Sequence, residues 1–333
     1  MEMTNQEIAK DTDQELIEIL KTLKTNIKII GCGGSGSNTI SRIMEEGITG
    51  ADVIAANTDA QHLLLTQAPR KILLGKRLTR GLGAGAIPQI GEQAAREAED
   101  EIRSVVEGAD IVFVTAGMGG GTGTGSAHVV AELAKQAGAL VIAVVTLPFT
   151  SEGKMRMENA LWGLQKLKEK SDTVIVIPND KLLQIVPRLP LNEAFRFADE
   201  ILMSAIKGLT ELITKPGLVN LDFNDLRTVM KDGGSAMIGI GQSGSQQRAL
   251  DAAKKALTSP LLESDISTAT SAIVSVTGSS NMSVEEAHSV LEEVKKAINP
   301  NARIIWGARI DESMKNDIKV LTILVGAKNK YLT

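Results

Sequence analysis

Gly117-Met118-Gly119-Gly120-Gly121-Thr122-Gly123-Thr124-Gly125-Ser126 is the stretch on which the reading of this chain turns. An apolar run at 111–116, the length of a buried strand, leads into it, and a helical pattern at 126–137 follows it. Between 119 and 125 the chain is glycine and threonine only. Such a loop offers many backbone N–H groups and two hydroxyls at a helix N-terminus, where the dipole favours negative charge. Each glycine costs folding entropy, so a structural turn would seldom string so many together. A di- or triphosphate with its counter-ion is the ligand this loop suits.

Two more glycine loops lie nearby in sequence. Gly31-Cys32-Gly33-Gly34-Ser35-Gly36-Ser37-Asn38 follows a β-rich run at 27–30 and opens a helix. The spacing of Gly31, Gly33 and Gly36, with Asp52 about 20 residues on, satisfies the dinucleotide-binding fingerprint. Taken alone it fits a nicotinamide-dependent Rossmann oxidoreductase or a tight turn. Thr79-Arg80-Gly81-Leu82-Gly83-Ala84-Gly85 could wrap a terminal phosphate or be a flexible turn. Three such loops exceed what one pyrophosphate requires, and a nucleoside triphosphate fits better. The Walker pattern is absent, since Gly75-Lys76 is followed by Arg77.

Further β-rich runs at 52–56, 140–146 and 173–177 alternate with helical candidates such as 88–106. Apolar strands alternating with helices predict an α/β fold whose parallel sheet is covered on both faces, with ligands at the carboxyl ends of the strands. A long helix is expected from 192 to 215, stopped by Pro216-Gly217. Beyond it, helices near 225–231, 246–257 and 284–298 and strands near 236–241, 272–277, 303–310 and 318–325 predict a smaller α+β unit. The domain organisation expected is a helical extension at 1–25, a nucleotide-binding domain at 26–190, a central core helix at 191–216 and a C-terminal domain at 217–330. The extension carries Ile8, Leu16, Ile17, Leu20 and Leu23 at amphipathic spacing, which suits either a solvated appendage or a partner-binding helix.

Composition narrows the function. A net charge of −4, with five Phe, two Trp and one Tyr in 333 residues, argues against nucleic acid as a partner. Cys32 is the single cysteine, so no internal disulfide forms and a reducing compartment is expected. No apolar run reaches ~18 residues, which predicts no direct membrane insertion. His62, His128 and His288 stand singly without metal-ligand spacing, and no metal-ligating side chain is assigned.

The run from 119 to 126 resembles the signature of the tubulin/FtsZ superfamily, and the other segments agree in order. They are Asn57-Thr58-Asp59-Ala60-Gln61, the loop at 79–85, Pro148-Phe149 with Glu152-Gly153 and Arg156, Pro178-Asn179-Asp180, the 220–225 segment with Asp222 and Asp225, and Trp306-Gly307-Ala308. The likeness covers roughly residues 26 to 328, is closer to FtsZ than to tubulin, and suits a prokaryotic, archaeal member. It implies the tubulin/FtsZ fold and a cytoplasmic GTPase that polymerises head to tail into protofilaments at the division site, in the septal ring. The rivals are the oxidoreductase and a GTP-binding filament protein that does not hydrolyse.

The resemblance also implies site residues. GTP or GDP, with Mg2+, would meet Gly33, Gly34, Ser35 and Asn38 of the first loop, then Asn57 and Asp59, then Gly81, Gly83, Ala84 and Gly85 of the third. The second loop would contribute Gly119, Gly120, Gly121, Thr122, Gly123, Thr124 and Gly125. Glu152 and Arg156 would meet the sugar and a phosphate, although four-residue spacing equally suits a surface ion pair. Asn179 completes the set with Phe195, placed like a base-stacking aromatic though also suited to core packing, and Asp199, placed like a guanine-reading residue. Guanine over adenine rests chiefly on Asp199 with Asn38. Asp222 and Asp225 fit an N-terminal helix cap on spacing alone. If Phe195 lies at the base, a helix of about 30 Å puts these carboxylates at the far pole, where they reach a neighbour's nucleotide and act as the catalytic pair.

Two departures stand out. Ile87 occupies a position where many bacterial relatives carry asparagine before Pro88. The tail that binds a membrane adaptor in bacterial members is not seen before Thr333, so an adaptor is expected to use another surface, such as the N-terminal extension.

Overall fold

The computed structural model describes residues 25–186, 190–215, 217–219, 221–262 and 265–332. The expected N-terminal helix and the helix stop at Pro216 lie outside the described residues. In chain order the elements are β1 (Ile27–Cys32), α1 (Gly33–Glu46), β2 (Ala51–Asn57), α2 (Ala60–Leu65), β3 (Arg70–Leu73), α3 (Pro88–Glu97), α4 (Glu99–Val106), β4 (Ile111–Gly117) and α5 (Thr122–Gln136). They continue with β5 (Leu140–Leu147), α6 (Lys154–Lys170), β6 (Thr173–Pro178), α7 (Asn179–Ile185), α8 (Leu191–Thr214) and α9 (Phe223–Met230). The last part holds β7 (Gly234–Ser243), α10 (Arg248–Leu257), β8 (Ser271–Gly278), α11 (Val284–Ala297), β9 (Arg303–Ile310) and β10 (Ile318–Val325).

One ten-stranded sheet runs in the order β3-β2-β1-β4-β5-β6-β7-β10-β8-β9. The first six strands are parallel, and the order reverses at β1 and β4, which is where a doubly wound sheet opens a crevice. β5 shows why both faces must be covered, since every residue of Leu-Val-Ile-Ala-Val-Val-Thr-Leu is buried. Its alternate side chains enter separate cores: Val141, Ala143 and Val145 pack under α3–α6, while Ile142 and Val144 meet α1 and α8. The apolar stripe of α8, with Ala198, Leu202, Ala205, Ile206 and Leu209, lies wholly in that second core.

Two features differ from the expectation. The single helix predicted over 88–106 breaks at Ala98, whose φ of −98° and ψ of 18° leave the helical region. Glu99, Asp100 and Glu101 follow it, and such a cluster favours a fresh helix N-terminus. The C-terminal strands also do not form a sheet of their own. β7 pairs with β6 in parallel at Thr173–Gly234, Val174–Ser235 and Ile175–Ala236, so the sheet passes unbroken into the antiparallel β7, β10 and β8. A third core, between that part of the sheet and α10 and α11, includes Ala252, Ala256, Val290 and Val294.

Candidate nucleotide site

β1 and β4 pair so that Cys32 lies opposite Ala116, and the first and second glycine loops therefore leave adjacent strand ends. Only glycine allows them to meet. A Cβ on Gly33, whose φ is +71°, would stand 2.6 Å from the Gly123 nitrogen. The third loop docks on the same point. Thr58 and Thr122 join through their hydroxyls at 2.6 Å, and Gly83 N–H donates to the Thr58 carbonyl at 3.2 Å.

A cleft of about 390 Å³ opens over these loops, within the range of small-ligand sites. Gly34, Ser35 and Asn38 line it from α1, and Gly120, Gly121, Thr122 and Gly123 from the second loop. Glu152 and Arg156 form another wall, and Asn179, Phe195 and Asp199 a third. The cleft thus gathers residues scattered over 165 positions of sequence into one concavity at the carboxyl ends of the strands.

Each wall has its own chemistry. Arg156 Nη1 lies 2.5 Å from Glu152 Oε2, so the ion pair suggested by the spacing exists and faces the cleft as a unit. Glu152 also accepts from Phe149 N–H at 2.8 Å, which fixes its carboxylate. Phe195 is 38% exposed and meets Phe149 edge to face at 5.2 Å, leaving ring surface free for stacking. Asn179 is buried, and its Oδ1 has no hydrogen-bond partner. Such orphaned acceptors are uncommon in folded proteins, and a ligand hydroxyl or N–H would satisfy this one. Asp199, 6% exposed, accepts from Ser35 Oγ at 3.3 Å. Burial pushes its carboxyl up to about 7, against the pull of Arg42.

Not every expected residue faces the cleft. A Cβ on Gly125 would stand 2.0 Å from the Pro88 carbonyl oxygen, so this glycine serves the close crossing of α3 and α5. Thr124 is fully buried, and its hydroxyl accepts from Gly119 N–H at 2.8 Å, bracing the loop from within. Gly119, with φ of +106°, packs against the Arg156 carbonyl. Gly81, Gly83 and Gly85 all hold positive φ in the third loop, and with Ala84 they flank the cleft without lining it. Asn57 and Asp59 stand behind it: Asp59 caps α2, accepting from His62 N–H at 2.9 Å. Burial pushes the Cys32 thiol up to about 12, which removes it as a nucleophile.

Asp222 and Asp225 are elsewhere. Asp225 N–H donates to Asp222 Oδ1 at 2.8 Å, and the two form a reciprocal capping box at the start of α9. The helix-cap reading is therefore realised, with both side chains exposed. α8 has 24 residues, about 36 Å of helix, and carries Phe195 and Asp199 near its start. Its last residue, Thr214, packs on Gly50 just before β2, and α9 ends where Met230 carbonyl accepts from Thr173 at the start of β6. The acidic pair thus belongs to the amino-end edge of the sheet and the cleft to the carboxyl-end edge.

Sequence reasoning passed over two residues. His62 is half-buried, with Nδ1 3.1 Å from Asn57 Nδ2 and Nε2 3.1 Å from Asn38 Oδ1. Arg42 approaches Asp199 from α1. Arg42 lies seven positions after Ser35, on one helical face, which is the signal the sequence held.

Comparison with known proteins places the fold. Residues 26–187 match the model of the tubulin/FtsZ family GTPase domain, and 234–328 match the FtsZ family C-terminal domain. Cell division protein FtsZ 1 of Archaeoglobus fulgidus is 59% identical over 323 residues, covering 97% of this chain and 88% of that protein. Its namesake in Thermococcus kodakarensis is 58% identical, covering 96% and 86%. A solved empty FtsZ dimer from M. jannaschii superposes with a TM-score of 0.91 at 55% identity, covering 95% of this chain and 92% of that one. The oxidoreductase and the non-hydrolysing filament protein find no support. This chain belongs to the FtsZ family of cell-division GTPases.

Proposed function

We propose that the cleft binds GTP and GDP with the guanine between Phe195 and the Asn38–Asp199 side. The ribose then lies towards Asn179 and Glu152, and the phosphates on the backbone amides of residues 120–123 with Arg156 beside them. The observation that carries this reading is that two glycine loops, with the third docked beside them, meet at one cleft that holds a buried, unsatisfied acceptor. Mg2+ enters as the phosphates' counter-ion. Among the described residues no group of three or more His, Cys, Asp or Glu could hold a metal, so phosphate oxygens would supply part of its coordination.

Asp222 and Asp225 sit an α8 length away and cannot serve the nucleotide of their own chain. Stacked head to tail, one subunit's acidic pair meets the next subunit's cleft, a heterologous contact that propagates as a filament. There the carboxylates position the attacking water, while backbone amides carry phosphate charge. Hydrolysis then depends on assembly, and losing the γ-phosphate weakens the same contact. In this scheme residues 26–190 bind nucleotide, α8 spans the molecule and 217–330 supply the activating surface.

The setting is the division site, with a membrane adaptor as partner; among the described residues no helix is long and apolar enough to cross a membrane. The test is GTP turnover per subunit against protein concentration, with sedimentation in parallel. Turnover should climb from near zero as GTP-dependent pelleting sets in. Turnover that is flat with concentration, without pelleting, rejects the shared site.

A further inference from the structure

Asp199 is a buried carboxylate with a single hydroxyl on it, the Ser35 Oγ at 3.3 Å. The nearest cation is Arg42, on the same face of α1 as Ser35. Its Nε stands 3.9 Å from Asp199 Oδ2, and its Nη1 4.0 Å from Glu200 Oε1. The Arg42 side chain is 19% exposed, and its Nε is buried without any hydrogen-bond partner. A guanidinium held so close, yet making no hydrogen bond through that nitrogen, acts on Asp199 as a charge rather than as a donor.

We propose that Arg42 is a positioning residue for base recognition, the counter-ion that holds Asp199 in the ionised form that accepts from guanine. The proposal rests on the reading of Asp199 as the guanine acceptor. A carboxylate accepts from N1–H and N2–H together. A protonated carboxyl turns one of those oxygens into a donor facing a donor. Four influences set which form is present. Burial and the neighbouring Glu200 push the Asp199 carboxyl up, while Arg42 and the Ser35 hydroxyl hold it down. The balance falls at about 7, so the cation decides the charge state at neutral pH.

The sign follows directly. Guanine binding needs the deprotonated form, so affinity is full above the Asp199 pKa and is lost as pH falls through it. The experiment is GTP affinity of the full chain from pH 6 to 8.5 for wild type, Arg42→Met and Arg42→Lys, with Asp199→Asn as the reference. Wild type should lose about tenfold per pH unit below about 7. Arg42→Met should move that midpoint up by about one pH unit or more, giving a roughly tenfold loss at pH 7 that is recovered at pH 8.5. Arg42→Lys keeps the charge and should stay near the wild-type profile, while Arg42→Gln, uncharged but still polar, should shift as the methionine variant does and serves as the test if that variant does not fold. A loss independent of pH, or an unmoved midpoint, in the uncharged variants overturns the role of Arg42. Asp199→Asn should exchange GTP for XTP preference. If it binds GTP like wild type, the reading of Asp199 itself fails; if it switches while the uncharged Arg42 variants keep the wild-type midpoint, only the present inference does.

Discussion

His62 bridges Asn38, which lines the cleft, and Asn57 behind it, and the chemistry of its ring fixes how they point. Asn57 Nδ2 can only donate, so Nδ1 of His62 accepts and Nε2–H donates to Asn38 Oδ1. That spends the Asn38 carbonyl and leaves its amide N–H groups for the cleft that Asn38 lines. Replacing His62 with Phe should lower GTP affinity by roughly 2- to 10-fold, the worth of about one hydrogen bond. Gln, which can both donate and accept, should retain affinity in the same fluorescent-nucleotide titration. Equal losses in the two variants would assign His62 to packing alone. Nothing in the sequence marked this residue, because its partners lie five positions behind it on one side and on another helix on the other. A lone histidine advertises nothing until the fold supplies its neighbours.

Within the signature loop and the helix it opens, the glycines divide by what surrounds them. Gly120 lines the cleft with no atom within 4 Å of a built Cβ, whereas on Gly125 that atom would strike α3 at the Pro88 carbonyl and, at 2.5 Å, the Glu92 nitrogen. Gly120→Ala should therefore keep the melting temperature and weaken GTP binding. Gly125→Ala should force α3 and α5 apart and cost on the order of 1–3 kcal/mol. Calorimetry beside a binding titration separates the two, and matching behaviour would refute the division. Sequence reading found these glycines and their ligand class because loop composition is local information. It could not tell a glycine that leaves the cleft open from one that admits a helix, since that depends on a crossing set by α3. The same limit explains Ala98, where a continuous helical pattern hides a break made by three acidic residues.

Across the whole molecule, the length of α8 was legible from its apolar stripe, and with it the separation of the acidic pair from the cleft. The join between β6 and β7 was not legible, because a three-residue pairing leaves no signature in sequence. Asp225→Ala should bind GTP normally and hydrolyse it on the order of 100-fold more slowly, while still pelleting with GTP. Because Asp225 also closes the cap of α9, a modest loss of stability should accompany it, about 1 kcal/mol. Loss of nucleotide binding would contradict its position at the far edge of the sheet.

The continuous sheet has a mechanical meaning as well. In the proposed head-to-tail chain, tension would enter a subunit at the glycine loops and leave at α9, so α8 and the sheet would bear the load in parallel. The six parallel strands are tied to one another over four to seven residues per pair, but β6 holds β7 by three. That seam is the shortest pairing in the sheet. If a filament of such subunits bends, the fewest sheet hydrogen bonds resist the bending at this seam, and flexing is expected to start there.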